Sequence, residues 1–148
     1  MKIIFFSKDC NDLDISYPTI DDSKLATTRT SNSITVILSE GFAIDEESGI
    51  VKYEINIYDG STKVDSETLN DIGNVTFEKL TNGKEYKIEV IVTNGNDMTS
   101  SATRNVETVT VDKPTYSVSP SSDEKEWATS RTVTITYPSG YTNEYSID

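Results

Sequence analysis

Three carboxylates stand side by side at Asp45-Glu46-Glu47, and Asn94, Asn96 and Asp97 bring three more oxygen-bearing side chains together further along the chain. Calcium takes roughly six to eight oxygen ligands, so these two clusters form a candidate site for that ion if the fold brings them to one end. The Asp-x-Asp-x-Asp-Gly spacing of a preformed calcium loop does not occur. Paired carboxylates also serve glycoside hydrolysis, but that chemistry needs a fixed separation across an aromatic-lined cleft, and nothing in the pattern predicts a cleft. The chain has no histidine. Every catalytic triad that depends on one is therefore excluded, and the commonest general base is missing. A single cysteine, Cys10, excludes an internal disulfide and zinc sites of the usual Cys/His kind. The expectation is a protein that is not an enzyme, with no cofactor other than the candidate calcium.

Tyr58, Tyr116, Tyr137 and Tyr141 are candidate contacts for a glycan or protein ligand, because tyrosine offers large contact area at small entropic cost. The more ordinary role of such tyrosines is to cover strand edges and module junctions. A net charge of −12 and a pI near 4.3 argue against nucleic acid, which requires clustered Lys and Arg; here the lysines are scattered. No apolar run approaches the length that spans a bilayer, so membrane insertion is not expected. The opening Met1-Lys2-Ile3-Ile4-Phe5-Phe6 is too short in its apolar part to read as a secretory signal.

The elements that must position these residues read as strands. Only 34% of the residues are hydrophobic, and no long i, i+3, i+4 stripe appears, so almost no helix is expected. Ile34, Val36 and Leu38 alternate with Thr35 and Ile37. Val51, Tyr53, Ile55 and Ile57 alternate with Lys52, Glu54 and Asn56, and the Asp59-Gly60 turn leads into a polar edge strand from Thr62 to Leu69 with charges at Lys63, Asp65 and Glu67. Val75 and Phe77 mark a further strand, and Tyr86, Ile88, Val90 and Val92 mark the strongest one, bounded by Asn82-Gly83 and Asn94-Gly95. A last strand is expected from Ser101 to Val111, with a bulge near Val106 and with Val109 and Val111 on its apolar side. Short strands joined by turns rich in Gly, Asn, Asp and Ser predict an all-β fold, an antiparallel Greek-key β-sandwich.

Residues 1–16 read as an acidic extension or linker and 17–113 as one sandwich. At 114–148 the pattern repeats: Pro114-Thr115-Tyr116 echoes Pro18-Thr19-Ile20, and Ser130 to Thr136 echoes Ser31 to Leu38. This last stretch is expected to be the start of a second Ig-like module, with strands A, B and part of C. Trp127, Val133, Ile135, Tyr145 and Ile147 would belong to its core, unopposed within the given sequence.

Leu80, Gly83 and Tyr86 stand in the spacing Leu-x-x-Gly-x-x-Tyr before an alternating strand. This resembles the E–F corner of fibronectin type III domains, and Tyr53 resembles the tyrosine of their strand C. The segment from Ala43 to Glu54 is similar to the B–C region of Ig-like and fibronectin-like modules of bacterial surface proteins. The resemblance implies a tyrosine corner, in which the Tyr86 hydroxyl bonds back to the backbone. The strand B tryptophan of the type III pattern is missing, leaving Val36 or Leu38 to fill its space. It further implies a non-catalytic spacer or adhesion module of an extracellular or cell-surface protein, with neighbouring domains as partners. The alternative is a glycan- or protein-binding accessory module of a secreted enzyme, or of a phage tail or virion protein.

Overall fold

The computed structural model describes residues 15–119 and 130–139. The chain divides into two compact units, Met1–Val109 and Thr110–Asp148. In the first unit the strands are β1 (Thr19–Ile20), β2 (Leu25–Arg29), β3 (Ile34–Leu38), β4 (Ala43–Ile44), β5 (Ile50–Asp59), β6 (Thr62–Leu69), β7 (Asn74–Phe77), β8 (Glu85–Asn94) and β9 (Thr99–Glu107). The helical content among the described residues is a single 3-10 turn at Asp22–Lys24, capped by the Asp21 side chain.

Two sheets enclose the core. One has three strands in the order β2-β3-β7 and the other four in the order β6-β5-β8-β9, all antiparallel. The chain changes sheet between β3 and β5, between β6 and β7, and again between β7 and β8, as a Greek-key sandwich requires. Alternation dictates what is buried: Ile34, Val36 and Leu38 from β3, Val75 and Phe77 from β7, Tyr53, Ile55 and Ile57 from β5, and Tyr86, Ile88, Val90 and Val92 from β8 form one continuous cluster. Val36 and Leu38 are both buried, so the space of the missing tryptophan is filled by aliphatic side chains.

Three expectations need correction. Val51 is exposed rather than inward, because the β5–β8 register shifts between Ile50 and Lys52, and Ile50 packs on the core instead. β9 ends at Glu107 with no irregularity at Val106, which pairs with Tyr86 in an unbroken register. The inward side chains there are Ala102, Val106 and then Thr108; the valine pair Val109 and Val111 lies beyond the strand. Phe42, fully buried before β4, and Leu25 at the start of β2 are core residues that no alternating run announced.

The sheet edges are guarded. The register pairs Ile55 with Glu67 and Ile57 with Asp65, which puts two exposed carboxylates of β6 on the core-facing side of its sheet, where they discourage pairing with another chain. On the opposite side the Arg104 guanidinium donates to the carbonyls of Leu25 and Asp22, and Arg29 donates to the Glu107 carbonyl at 2.6 Å. With Val109 N–H on Thr30 O at 2.9 Å, these bonds tie β9 to the far sheet.

In the second unit, β10 (Thr115–Ser119) and β11 (Thr132–Thr136) pair antiparallel from Thr115–Thr136 through Ser119–Thr132. Val133 and Ile135 are exposed. Trp127, Tyr145 and Ile147 lie outside the described residues.

The corner between β7 and β8 closes on a buried tyrosine. Thr81 N–H donates to the Tyr86 hydroxyl at 3.0 Å, and Gly83 occupies the left-handed region at φ 59°. Buried Thr108 donates to Thr81 O at 2.6 Å and accepts from Lys84 N–H at 3.1 Å, so the end of β9 is tied to the same corner. Tyr86→Phe is expected to lower unfolding stability by about 1–2 kcal/mol by leaving Thr81 N–H without its acceptor. A urea melt with an unchanged slope and a lower midpoint checks it.

Candidate functional site

The two polar clusters singled out above meet at one point. β8 runs on far enough to bury Asn94 completely, and its side-chain amide faces the loop that follows β4. Asn94 Nδ2 donates to Asp45 Oδ2 at 2.9 Å and to the Ser16 carbonyl at 3.1 Å. Its Oδ1 accepts from the N–H groups of Asn96 at 3.0 Å and Met98 at 2.9 Å. Asp45 Oδ1 in turn accepts from the Ser48 N–H at 2.9 Å and hydroxyl at 3.2 Å. Gly95 N–H donates to Gly49 O at 3.1 Å, an approach so close that a Cβ on Gly95 would stand 2.6 Å from Ser48 O.

One amide thus joins three segments, and the side-chain oxygens of Asp45 and Asn94, which a cation would need, already hold protein hydrogen bonds. Of the six candidate calcium ligands, the structure brings Asp45 and Asn94 into contact. Glu46, Asn96 and Asp97 are exposed, as is Glu47, whose Oε2 accepts from the Ser16 hydroxyl at 3.1 Å. Among the described residues no three acidic, histidine or cysteine side chains gather closely enough to share an ion. Beside this pole lies an open groove of about 380 Å³ between Tyr17 and Ile44.

A second polar cluster, unannounced by any motif, covers the outer face of the four-stranded sheet. Asn56 lies on the outward phase of β5 yet is 1% exposed. Its Nδ2 donates to Glu54 Oε1 at 3.2 Å and reaches Glu89 Oε2 at 3.5 Å, while its Oδ1 is buried and meets no donor among the described residues. The Tyr58 hydroxyl donates to Glu89 Oε2 at 2.8 Å, Lys87 Nζ sits 4.3 Å above the Tyr58 ring, and Lys63 lies 3.6 Å from Glu54. Two carboxylates and two ammonium groups therefore balance around a neutral amide. The signal for this cluster was present as polar residues on one phase of β5 and β8, but the pattern alone reads as a solvated face.

Tyr58 is thus engaged within the fold. Tyr116 is 77% exposed, Tyr137 is half-buried, and Tyr141 lies outside the described residues. Asp59 Oδ2 accepts from Lys84 Nζ at 2.5 Å, pinning the turn after β5 to the start of β8.

The strand order of the two sheets and the tyrosine at the β7–β8 corner define a fibronectin type III-like β-sandwich. No protein-family model and no curated protein matches the sequence. Among solved structures, the chain is similar to the fn3 domain of human collagen alpha-1(XX) chain, with 16% identity over 66% of this chain and 89% of that one and a TM-score of 0.47. At that distance the likeness concerns fold alone.

Two outcomes follow from this geometry. Asn94→Ala removes the donation to Asp45 Oδ2 and the acceptor of two backbone N–H groups and is expected to cost about 2–4 kcal/mol, read as an earlier melting transition with faster amide exchange at residues 45–49 and 95–98. The hydrogen bond to Glu89 raises the Tyr58 pKa above its ordinary value by favouring the neutral phenol. In a spectrophotometric titration Tyr58, identified by difference from Tyr58→Phe, is expected to ionise at lower pH when Glu89 is replaced by Gln.

Proposed function

We propose that the first unit is a non-catalytic spacer or adhesion module of a multidomain extracellular or cell-surface protein of bacterial type. The observation that carries this reading is the Asn94 amide, which spends the polar groups of the loop pole on joining the segments at Ser16, Asp45 and Met98. A pole stitched from within suits a rigid link that holds its neighbours at a set orientation. The chain's partners in this reading are neighbouring domains of a longer polypeptide. The β10–β11 pair is the opening of a second Ig-like module, and its exposed Val133 and Ile135 are the apolar side chains that a completed module covers.

A second reading, a glycan- or protein-binding accessory module of a secreted enzyme or of a phage tail or virion protein, is favoured by Asn56. A buried acceptor left without a donor costs roughly 1–3 kcal/mol, and a ligand hydroxyl or N–H that reached it by displacing the side chains around it would supply what is missing. Balanced charges around it suit a neutral polar ligand better than a bare ion.

Retention of the chain on immobilised peptidoglycan, cellulose and chitin separates the two. The spacer reading expects elution with the void volume, unchanged by Glu46→Ala, Glu47→Ala and Asp97→Ala together. Saturable retention that Asn56→Val abolishes, in a variant at least as stable as the original, would replace it with the second reading.

A further inference from the structure

The sequence contains two Asn-Gly pairs, Asn82-Gly83 and Asn94-Gly95, at opposite ends of β8. Chemically they are alike. A glycine after asparagine places no Cβ in the way of its own backbone nitrogen, which can then attack the asparagine side chain. The Gly nitrogen bonds to the Asn Cγ, the Cγ–Nδ2 bond breaks, and ammonia leaves with the proton that the backbone nitrogen gives up. Water opens the resulting five-membered imide at either carbonyl, yielding aspartyl or isoaspartyl at the asparagine position. The reaction needs a mobile side chain, a free backbone N–H and access for water, and no oxidant or cofactor.

The fold grants these conditions to one pair and denies them to the other. Asn94 is fully buried, its amide makes four hydrogen bonds, and the Gly95 N–H is held by Gly49 O. Asn82 is exposed on the tip of the β7–β8 corner, and among the described residues its side chain makes no hydrogen bond. The Gly83 N–H donates to no backbone carbonyl among them either. Corner bonds flank the pair without involving it: Thr81 N–H goes to Tyr86, and Lys84 N–H to Thr108.

We propose that Asn82 is a site of spontaneous deamidation in the folded protein, and that Asn94, identical in local sequence, is protected by the hydrogen bonds of the loop pole. Conversion replaces a neutral amide by a carboxylate, taking the net charge from −12 to one unit more negative. The isoaspartyl product also lengthens the backbone by one methylene inside a turn whose two sides are fixed by Tyr86 and Thr108. The corner therefore changes both charge and length as the chain ages.

The test is incubation of the whole chain at pH 7.5 and 37 °C, folded and in 8 M urea, conditions set at roughly neutral pH and full unfolding, with peptide mapping that resolves aspartyl from isoaspartyl. Folded chain is expected to convert at Asn82 at least about tenfold faster than at Asn94, and the gap is expected to close in urea, because each factor of ten corresponds to a modest local opening free energy that denaturant removes. An Asn82→Gln variant is expected to lose the acidic species that accumulates on isoelectric focusing. A folded-state gap below tenfold, a gap that persists in urea, or an acidic species that survives Asn82→Gln overturns the proposal.

Discussion

The burial of every second side chain along β8 is the constraint on which the rest of this sandwich depends. Tyr86, Ile88, Val90 and Val92 are at or near zero exposure, and the strand carrying them is paired on both sides, to β5 and to β9. Neither neighbour can slip by one residue without turning its own apolar set to solvent. The ends of the strand are fixed differently. At its start a tyrosine hydroxyl accepts from the corner backbone, and at its end a buried amide gathers the loops. One strand therefore carries the central layer of the core and a polar fastening at each of its ends.

Much of this was legible in the sequence because period-two alternation is a local signal. β3, β7 and β8 read correctly from it, as did β5 from Tyr53 onward and the edge character of β6 with its three charges. What failed was phase where alternation is weak. β9 presents Ala102, Arg104 and Val106 on its inward phase, a small residue and a cation that show no apolar rhythm, whereas the valines beyond Glu107 alternate without being part of the strand. Arg104 can sit on that phase because β9 is an edge strand; its guanidinium passes beyond the apolar layer to backbone carbonyls of the facing sheet. Phe42 was invisible for the opposite reason, being one buried aromatic in a turn, with exposed Glu40 at i−2 and exposed Ile44 at i+2.

The candidate site was legible as a meeting place but not as a network. Knowing that Asp45 and Asn94 sit in loops at one end of a sandwich predicts proximity. It does not predict that Asn94 would be wholly buried, since nothing in Val92-Thr93-Asn94-Gly95 says that β8 continues two residues past its apolar run. Once Asn94 is inside, its four hydrogen-bonding positions must be met by the protein, and the groups within reach are Asp45, Ser16 and the N–H groups of the following turn. Oxygens that looked like ligands in the sequence become acceptors in the fold.

Asn56 shows what happens when that accounting is left open. Both asparagines are buried at the level of their side chains, but Asn94 has partners for Nδ2 and Oδ1 while Asn56 has them for Nδ2 alone. A valine on the outward phase of a central strand carries no polar side-chain atom to leave unpaired, and β-propensity favours it over asparagine. The two amides are thus told apart by hydrogen-bond count: among the described residues Asn94 is met at both its nitrogen and its oxygen, and Asn56 at its nitrogen alone, so the first is accounted for by the loops it joins and the second is not accounted for by its neighbours.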